Sequence, residues 1–233
     1  IDRKQFEPQV GVGKKIIDMQ NQLQMKYGGS VAQEILYDTG ASSNLLKEVS
    51  IGEGGYDSTN NGTAGIPSIH KTPSKMTLGQ IQSAMDNGTL FAVGRFQMTA
   101  DKGGWAGFKS WLNGQGYGDD TVFSPEIQDL YWPYTTNIKR PLVGKYLNGD
   151  SNISTEQAAL ELAAEFASIG VPYAMKAGSY GGGWPRRDIQ AGESLYVGAA
   201  GNAARGNSHL RIMRSLQLAQ IKQSKTPPTV VPT

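Results

Sequence analysis

Cysteine is absent from this 233-residue chain. Its absence excludes disulfides, thiolate metal sites and a cysteine nucleophile. Only His70 and His209 supply imidazole, too few for a histidine-rich zinc site. The formal charge is +2, too slight a surplus to recruit nucleic acid, although compatible with an anionic polymer such as a bacterial cell wall. No apolar run approaches the roughly 18 residues that span a bilayer, so no membrane partner is expected. There is no GxxxxGKS/T phosphate loop and no GxSxG elbow. The GVG at 11–13 lacks the third glycine and the strand–helix context of a dinucleotide fingerprint. Asp150 and Asn152 open a segment resembling a calcium loop, but no Glu stands at its twelfth position. No cofactor and no metal are therefore expected.

What is present suffices for one sizeable core, since 38% of the residues are hydrophobic. The 30 glycines cluster and imply long shaped loops. Ile16, Met19 and Leu23 recur at helical spacing in an N-terminal arm or linker over 1–40. Ser42 or Ser43 is a plausible N-cap for a helix carrying Leu45, Leu46 and Val49, which runs into Gly52 and Glu53. Thr77 caps TLGQIQSAMDNG, which Asn87-Gly88 ends. LFAVGRFQM is strand-like around Gly94, and Trp105, Phe108, Trp111 and Leu112 return to helical spacing. Ser124-Pro125-Glu126 starts another helix. Ser154 with Gln157 forms a capping box before AALELAAEFASIG, a candidate buried helix. A Gly-rich stretch with aromatics over 176–206 precedes the amphipathic HLRIMRSLQLAQIK.

These elements predict an α+β, mostly α fold with a small β-rich insert between about 54 and 98. The principal domain is expected over 41–223, with a Pro/Thr-rich linker or tail over 224–233. The chain opens at Ile1 and closes in SKTPPTVVPT, so a processed protein or a piece of a longer one is expected.

Glu53, where a helix meets a polar loop, is either the last charged residue of a surface helix or a carboxylic acid opening onto a cleft. Cleavage of a glycosidic bond needs a carboxyl group that stays protonated near neutral pH. A Glu at a helix end beside Leu46, Val49, Ile51 and Tyr56 has the apolar surroundings that raise its pKa. Gly52, Gly54 and Gly55 leave room for a bulky sugar. In AVGRFQM, either Gly94 lets backbone pass close to substrate, with Arg95 and Gln97 projecting to one side of a strand that alternates with Phe96, or the segment is a plain hairpin with Phe96 and Met98 in the core.

The pair of elements together resembles the lysozyme-like superfamily. A helix ending in Glu-Gly, then a polar loop, then Gly-Arg-aromatic-Gln is similar to the lambda-type phage endolysins, which are lytic transglycosylases. Phe123-Ser124-Pro125 with Gln128-Asp129, EFASIG at 165–170 and Gly178-Ser179-Tyr180-Gly181 continue the resemblance in the same order, over roughly 43–220. It implies a lysozyme-like fold that cleaves the MurNAc–GlcNAc β-1,4 bond of peptidoglycan glycan strands. Glu53 takes the acid/base role, Arg95, Phe96 and Gln97 line the cleft, and Tyr56 and Tyr180 contact sugar. Trp184, in an insert over 182–207 without counterpart there, either stacks on a sugar or pins its loop to the core.

The hydrolytic route needs a second carboxylate. No other Glu lies between positions 49 and 125, and Gly62 stands where one lysozyme class has Asp. This scarcity favours a lytic transglycosylase. Asp57 keeps a hydrolytic lysozyme open, as a nucleophile or water-orienting base, or else is a turn residue beside Ser58. A cell-wall-binding module without catalysis is a third reading. The setting expected is the bacterial periplasm or cell wall, reached as a phage-encoded, virion-associated or secreted monomer, with an immunity or inhibitor protein as a possible partner.

Overall fold

The computed structural model describes residues 41–59, 72–100, 103–198 and 209–225. Helix α1 (Ala41–Glu53) is followed by a short 3-10 turn (Pro73–Lys75), α2 (Leu78–Asp86), β1 (Ala92–Val93), β2 (Met98–Thr99) and α3 (Trp105–Gly114). The second half comprises α4 (Pro125–Asp129), α5 (Tyr131–Tyr134), a π-helical turn (Thr135–Lys139), α6 (Pro141–Leu147), α7 (Thr155–Glu165), a 3-10 turn (Gly181–Gly183) and α8 (His209–Lys225). Among the described residues the architecture is mostly helical with one two-stranded antiparallel sheet, as expected for its class. The predicted arm over 1–40 and the last eight residues of the tail lie outside the described residues, as do His70 and residues 199–207 of the Gly-rich insert.

Local chemistry sets most boundaries. Thr77 and Ser154 each accept a hydrogen bond from the backbone three residues on, while Gln80 and Gln157 reach back to the cap N–H. These reciprocal boxes satisfy donors that a helix start leaves open. Asn87 and Gly88 end α2, with Gly88 at φ 73°. Pro125 and Pro141 occupy first turns, where no N–H is required.

Three expectations require correction. Ser42 and Ser43 lie inside α1, which is already helical at Ala41. Helix α7 stops at Glu165, and Phe166 is extended. The apolar run FASIG is buried as an irregular segment, with Gly170 bridged to Ser194. Apolar periodicity cannot separate a buried loop from a buried helix. Finally, among the described residues of the β-rich insert each strand is only two residues long, with Ala92 opposite Thr99 and Val93 opposite Met98. Residues 94–97 are the hairpin loop, so Arg95 and Gln97 do not alternate along a strand.

Leu45 and Val49 of α1 meet Ile212, Leu216 and Ala219 of α8 in a continuous core that also takes in Leu162 of α7. Ala158, Ala159, Ala163 and Ala164 keep α7 slim where α6 and α8 pack on it. Phe108, Tyr131 and Tyr134 add an aromatic cluster, with Phe108 and Tyr131 edge to face at 5.2 Å. This packing fixes the C-terminal ends of α1 and α7, and the site is built between them.

Candidate active site

Glu53 is the last residue of α1, where the helix dipole presents its negative end. Backbone hydrogen bonding continues one step, Gly54 N–H donating to Ser50 O at 3.1 Å. Gly54 then takes φ 140°, and a Cβ there would lie 2.4 Å from Ser58 Oγ. Its glycine therefore serves the turn, not the admission of a sugar. Gly55 is open, its nearest neighbour 3.9 Å from a Cβ position.

The Glu53 carboxyl is met from across the core. Ser168 Oγ donates to Oε1 at 2.5 Å, and Ser168 N–H approaches the same oxygen at 3.4 Å. Burial pushes the Glu53 pKa above its ordinary value; the two Ser168 hydrogen bonds oppose this, and the Glu165 charge adds to it. The net result is a carboxyl group that holds its proton to higher pH than a solvated Glu.

Glu165, the last residue of α7, is a second carboxylate in this neighbourhood, with its side chain only 3% exposed. It too sits at the unfavourable end of a helix dipole, and two cations offset that. Lys139 Nζ and Tyr131 Oη both lie 2.6 Å from Oε1, and Arg140 Nε lies 3.1 Å from Oε2. The π-helical turn ends at Lys139, next to Arg140, and so brings both cations onto one acceptor. Arg140 further donates to Ala164 O at 2.7 Å and to Tyr180 Oη at 3.3 Å, and pairs with Glu161 at 3.5 Å.

A second network lies on the hairpin side. Arg95 donates to Ser50 Oγ at 2.9 Å, Tyr56 Oη at 3.0 Å and Asp129 Oδ1 at 2.8 Å, and Tyr56 Oη donates to Asp129 Oδ2 at 2.9 Å. Gln128 is fully buried and uses its whole amide. Oε1 accepts from Arg95 N–H at 2.9 Å, and Nε2 donates to Tyr56 O and Phe123 O, each at 3.0 Å. Gly94 N–H donates to Ser58 O at 2.8 Å. The loop following Glu53 is thus stitched to the hairpin and to α4.

The sequence-predicted residues divide accordingly. Tyr56 and Arg95 share one network beside the Glu53 loop, but as mutual partners. Phe96 does not line a cleft: it is 2% exposed and packs on Tyr131 and Phe166 at 5.6 and 6.1 Å. Its ring touches a member of each network, Arg95 at 5.6 Å and Tyr131 at 5.6 Å. Gln97 closes the hairpin, with φ 44° and Nε2 donating to Gly94 O at 3.0 Å. Asp57 accepts from Ser74 N–H at 3.0 Å, a loop-tethering bond. Tyr180 joins the Glu165 network through Arg140 and Glu161. Trp184 stands edge-on to Tyr196 at 5.1 Å, with the Arg186 guanidinium 4.5 Å from its ring centre, and so pins its loop to the core. Asp150 Oδ1 accepts from Asn152 N–H and Nδ2, a local turn. Among the described residues no group of three His, Cys, Asp or Glu is placed to hold a metal.

Ser168, Glu165, Lys139, Arg140, Tyr131 and Gln128 escaped sequence reasoning as site residues. Gln128 belongs to the Gln128-Asp129 pair, and Glu165 and Ser168 to the EFASIG run, which enter the sequence reading only through the resemblance. A separate cavity of about 660 Å³ between Met76–Thr77, α2 and Asp119 contains none of these residues. Its one acidic side chain, Asp119, is exposed and paired with Lys109, so the cavity lacks the chemistry found at Glu53.

No family model matches the chain, no curated protein is significantly similar to it, and no solved structure matches it. Among the described residues, no helix is long and apolar enough to cross a membrane.

Proposed function

We propose that the chain is a lysozyme-like, peptidoglycan-degrading muramidase acting as a lytic transglycosylase, with Glu53 as its single acid/base. The observation that carries this reading is the Glu53 carboxyl itself: it is held toward its neutral form at the end of α1, with one oxygen engaged by Ser168. The resemblance in motif order to lambda-type endolysins supplies the substrate class, a β-1,4 glycan strand of the bacterial wall. Activity in the periplasm or cell wall belongs to the same proposal.

The chemistry balances without water. Protonated Glu53 donates to the glycosidic oxygen as the C1–O bond of the MurNAc residue breaks. The carboxylate so formed takes the proton from that residue's C6 hydroxyl, whose oxygen bonds to C1 and closes an anhydro ring. One acid serves both steps. Two observations support this route over hydrolysis. Glu165 is engaged by Lys139, Arg140 and Tyr131, and Asp57 by Ser74 N–H, so neither carboxylate is poised as a nucleophile. The test is clearance of purified sacculi by wild type and Glu53→Gln. The variant is expected to fold and to lose at least about 100-fold in rate. A wild type that binds sacculi without clearing them marks a binding module and overturns the proposal.

A further inference from the structure

We infer that Ser168 is the positioning residue of the Glu53 acid: its hydroxyl holds Oε1, and so assigns Oε2 as the oxygen that carries the transferable proton. This rests on the reading of Glu53 as the acid.

The geometry is specific. Ser168 is 5% exposed, and both its Oγ–H and its N–H address one oxygen of one carboxyl. Its segment is held on both sides. Ile169 N–H donates to Phe166 O at 2.9 Å, Ser194 Oγ donates to Ala167 O at 2.6 Å, and Tyr196 Oη donates to Ala164 O at 2.6 Å. Gly170 is bridged to Ser194, and a Cβ at Gly170 would lie 2.4 Å from Gly192 O. Phe166, on the same turn, packs on Phe96 of the hairpin. A hydroxyl so confined cannot follow a swinging carboxylate. It fixes the plane of the acid relative to α1, which is what a proton donor of defined direction requires.

A carboxyl with two donors on Oε1 carries its own proton on Oε2. After proton transfer the same two donors stabilise the carboxylate, so Ser168 also limits how far burial raises the pKa. Other charged groups nearby face Glu53 from α7 and the π-helical turn, as Glu165 neutralised by Lys139 and Arg140, with Tyr131 beside them. On the hairpin side Arg95 is neutralised by Asp129, with Tyr56 between. On α1 and α8, Glu48 pairs with Arg211. Among the described residues Ser168 alone hydrogen-bonds the acid.

The experiment uses the whole chain and the variants Ser168→Ala and Ser168→Cys. The cysteine variant nearly preserves volume and weakens the donor, so it carries the test should the alanine variant fold poorly. Two readouts are compared. The first is the pH dependence of kcat and KM on sacculi. The second is the titration of the Glu53 carboxyl, followed by NMR in carbon-13-labelled protein, which needs no substrate. Loss of the hydroxyl is expected to raise the Glu53 midpoint by about one pH unit and to carry the alkaline limb of kcat up with it. It is also expected to lower kcat about tenfold with KM unchanged, because the acid is no longer oriented. A midpoint and alkaline limb equal to those of wild type in both variants overturn the inference. If Glu53→Gln keeps its activity while Ser168→Ala still moves the Glu53 midpoint, the pairing stands and the catalytic reading falls.

Discussion

Gln128 fills the space that a side chain on Gly94 would need: a Cβ on Gly94 would stand 2.5 Å from Gln128 Oε1 and 3.1 Å from a Phe123 ring carbon. Gly94 also adopts φ 77°, which L side chains rarely take. The glycine that looked like a window onto substrate is therefore a socket for a buried amide. Gly94→Ala is expected to destabilise the fold by roughly 3 kcal/mol or more, from backbone strain plus overpacking. Gly88 provides the control, with φ 73° and nothing within 4 Å of a Cβ. Gly88→Ala is expected to cost only the strain, about 1–2 kcal/mol. Chemical denaturation of both variants measures the difference, and equal losses would contradict the role given to Gln128.

Glu53→Gln bears on stability as well as activity. Burial raises the Glu53 pKa above its ordinary value of 4.5 in the folded state, so the folded protein binds the proton more tightly than the unfolded chain. Stability contributed by the protonated form is fully present below 4.5 and is lost as pH rises through the elevated folded value. The neutral amide escapes that loss while still accepting from Ser168. The variant is expected to match wild type near pH 4 and to exceed it in melting temperature at pH 8. Thermal scans across that range check it, and a variant less stable at pH 8 than at pH 4 relative to wild type would contradict it.

The Glu165 cluster is expected to be structural in the first place. Removing one partner of a buried pair leaves a charge uncompensated, at a cost of about 3 kcal/mol or more. Glu165→Gln leaves Lys139 and Arg140 facing each other across the end of α7, and Arg140→Ala leaves Glu165 with one cation and abolishes the link to Tyr180. Both are expected to lower the denaturation midpoint markedly. Glu165→Gln is also expected to lower the Glu53 midpoint, because the charge that raises it is gone.

How much of this was legible in the sequence depends on range. The boxes Thr77/Gln80 and Ser154/Gln157, and the ends of α2, rest on groups three residues apart or fewer, and their chemistry is written locally. Glu53 was legible for the same reason, standing at the last periodic position of its helix. Ser168 lies 115 residues away from Glu53 and sits in a run whose apolar residues imitate a helix. Arg95 appeared free because Asp129, 34 residues on, is its partner only after folding. Phe96 was placed in the cleft by the resemblance alone, whereas alternation already set it on the face opposite Arg95 and Gln97, and it is buried. No local pattern encodes such long-range partners.

Asp57 separates the two glycosidic routes. It is exposed and bonded to Ser74 N–H, which Asn can also satisfy. Asp57→Asn is expected to keep activity within about a factor of two, whereas loss of a nucleophile or base costs about 100-fold or more. Rates of sacculus clearance decide between these outcomes.

The most direct measurement is mass spectrometry of the soluble products released from purified sacculi by wild type and by Glu53→Gln. The account predicts muropeptides ending in 1,6-anhydro-MurNAc from wild type and a near absence of products from the variant. Products with reducing MurNAc ends, or equal release by the variant, would contradict it.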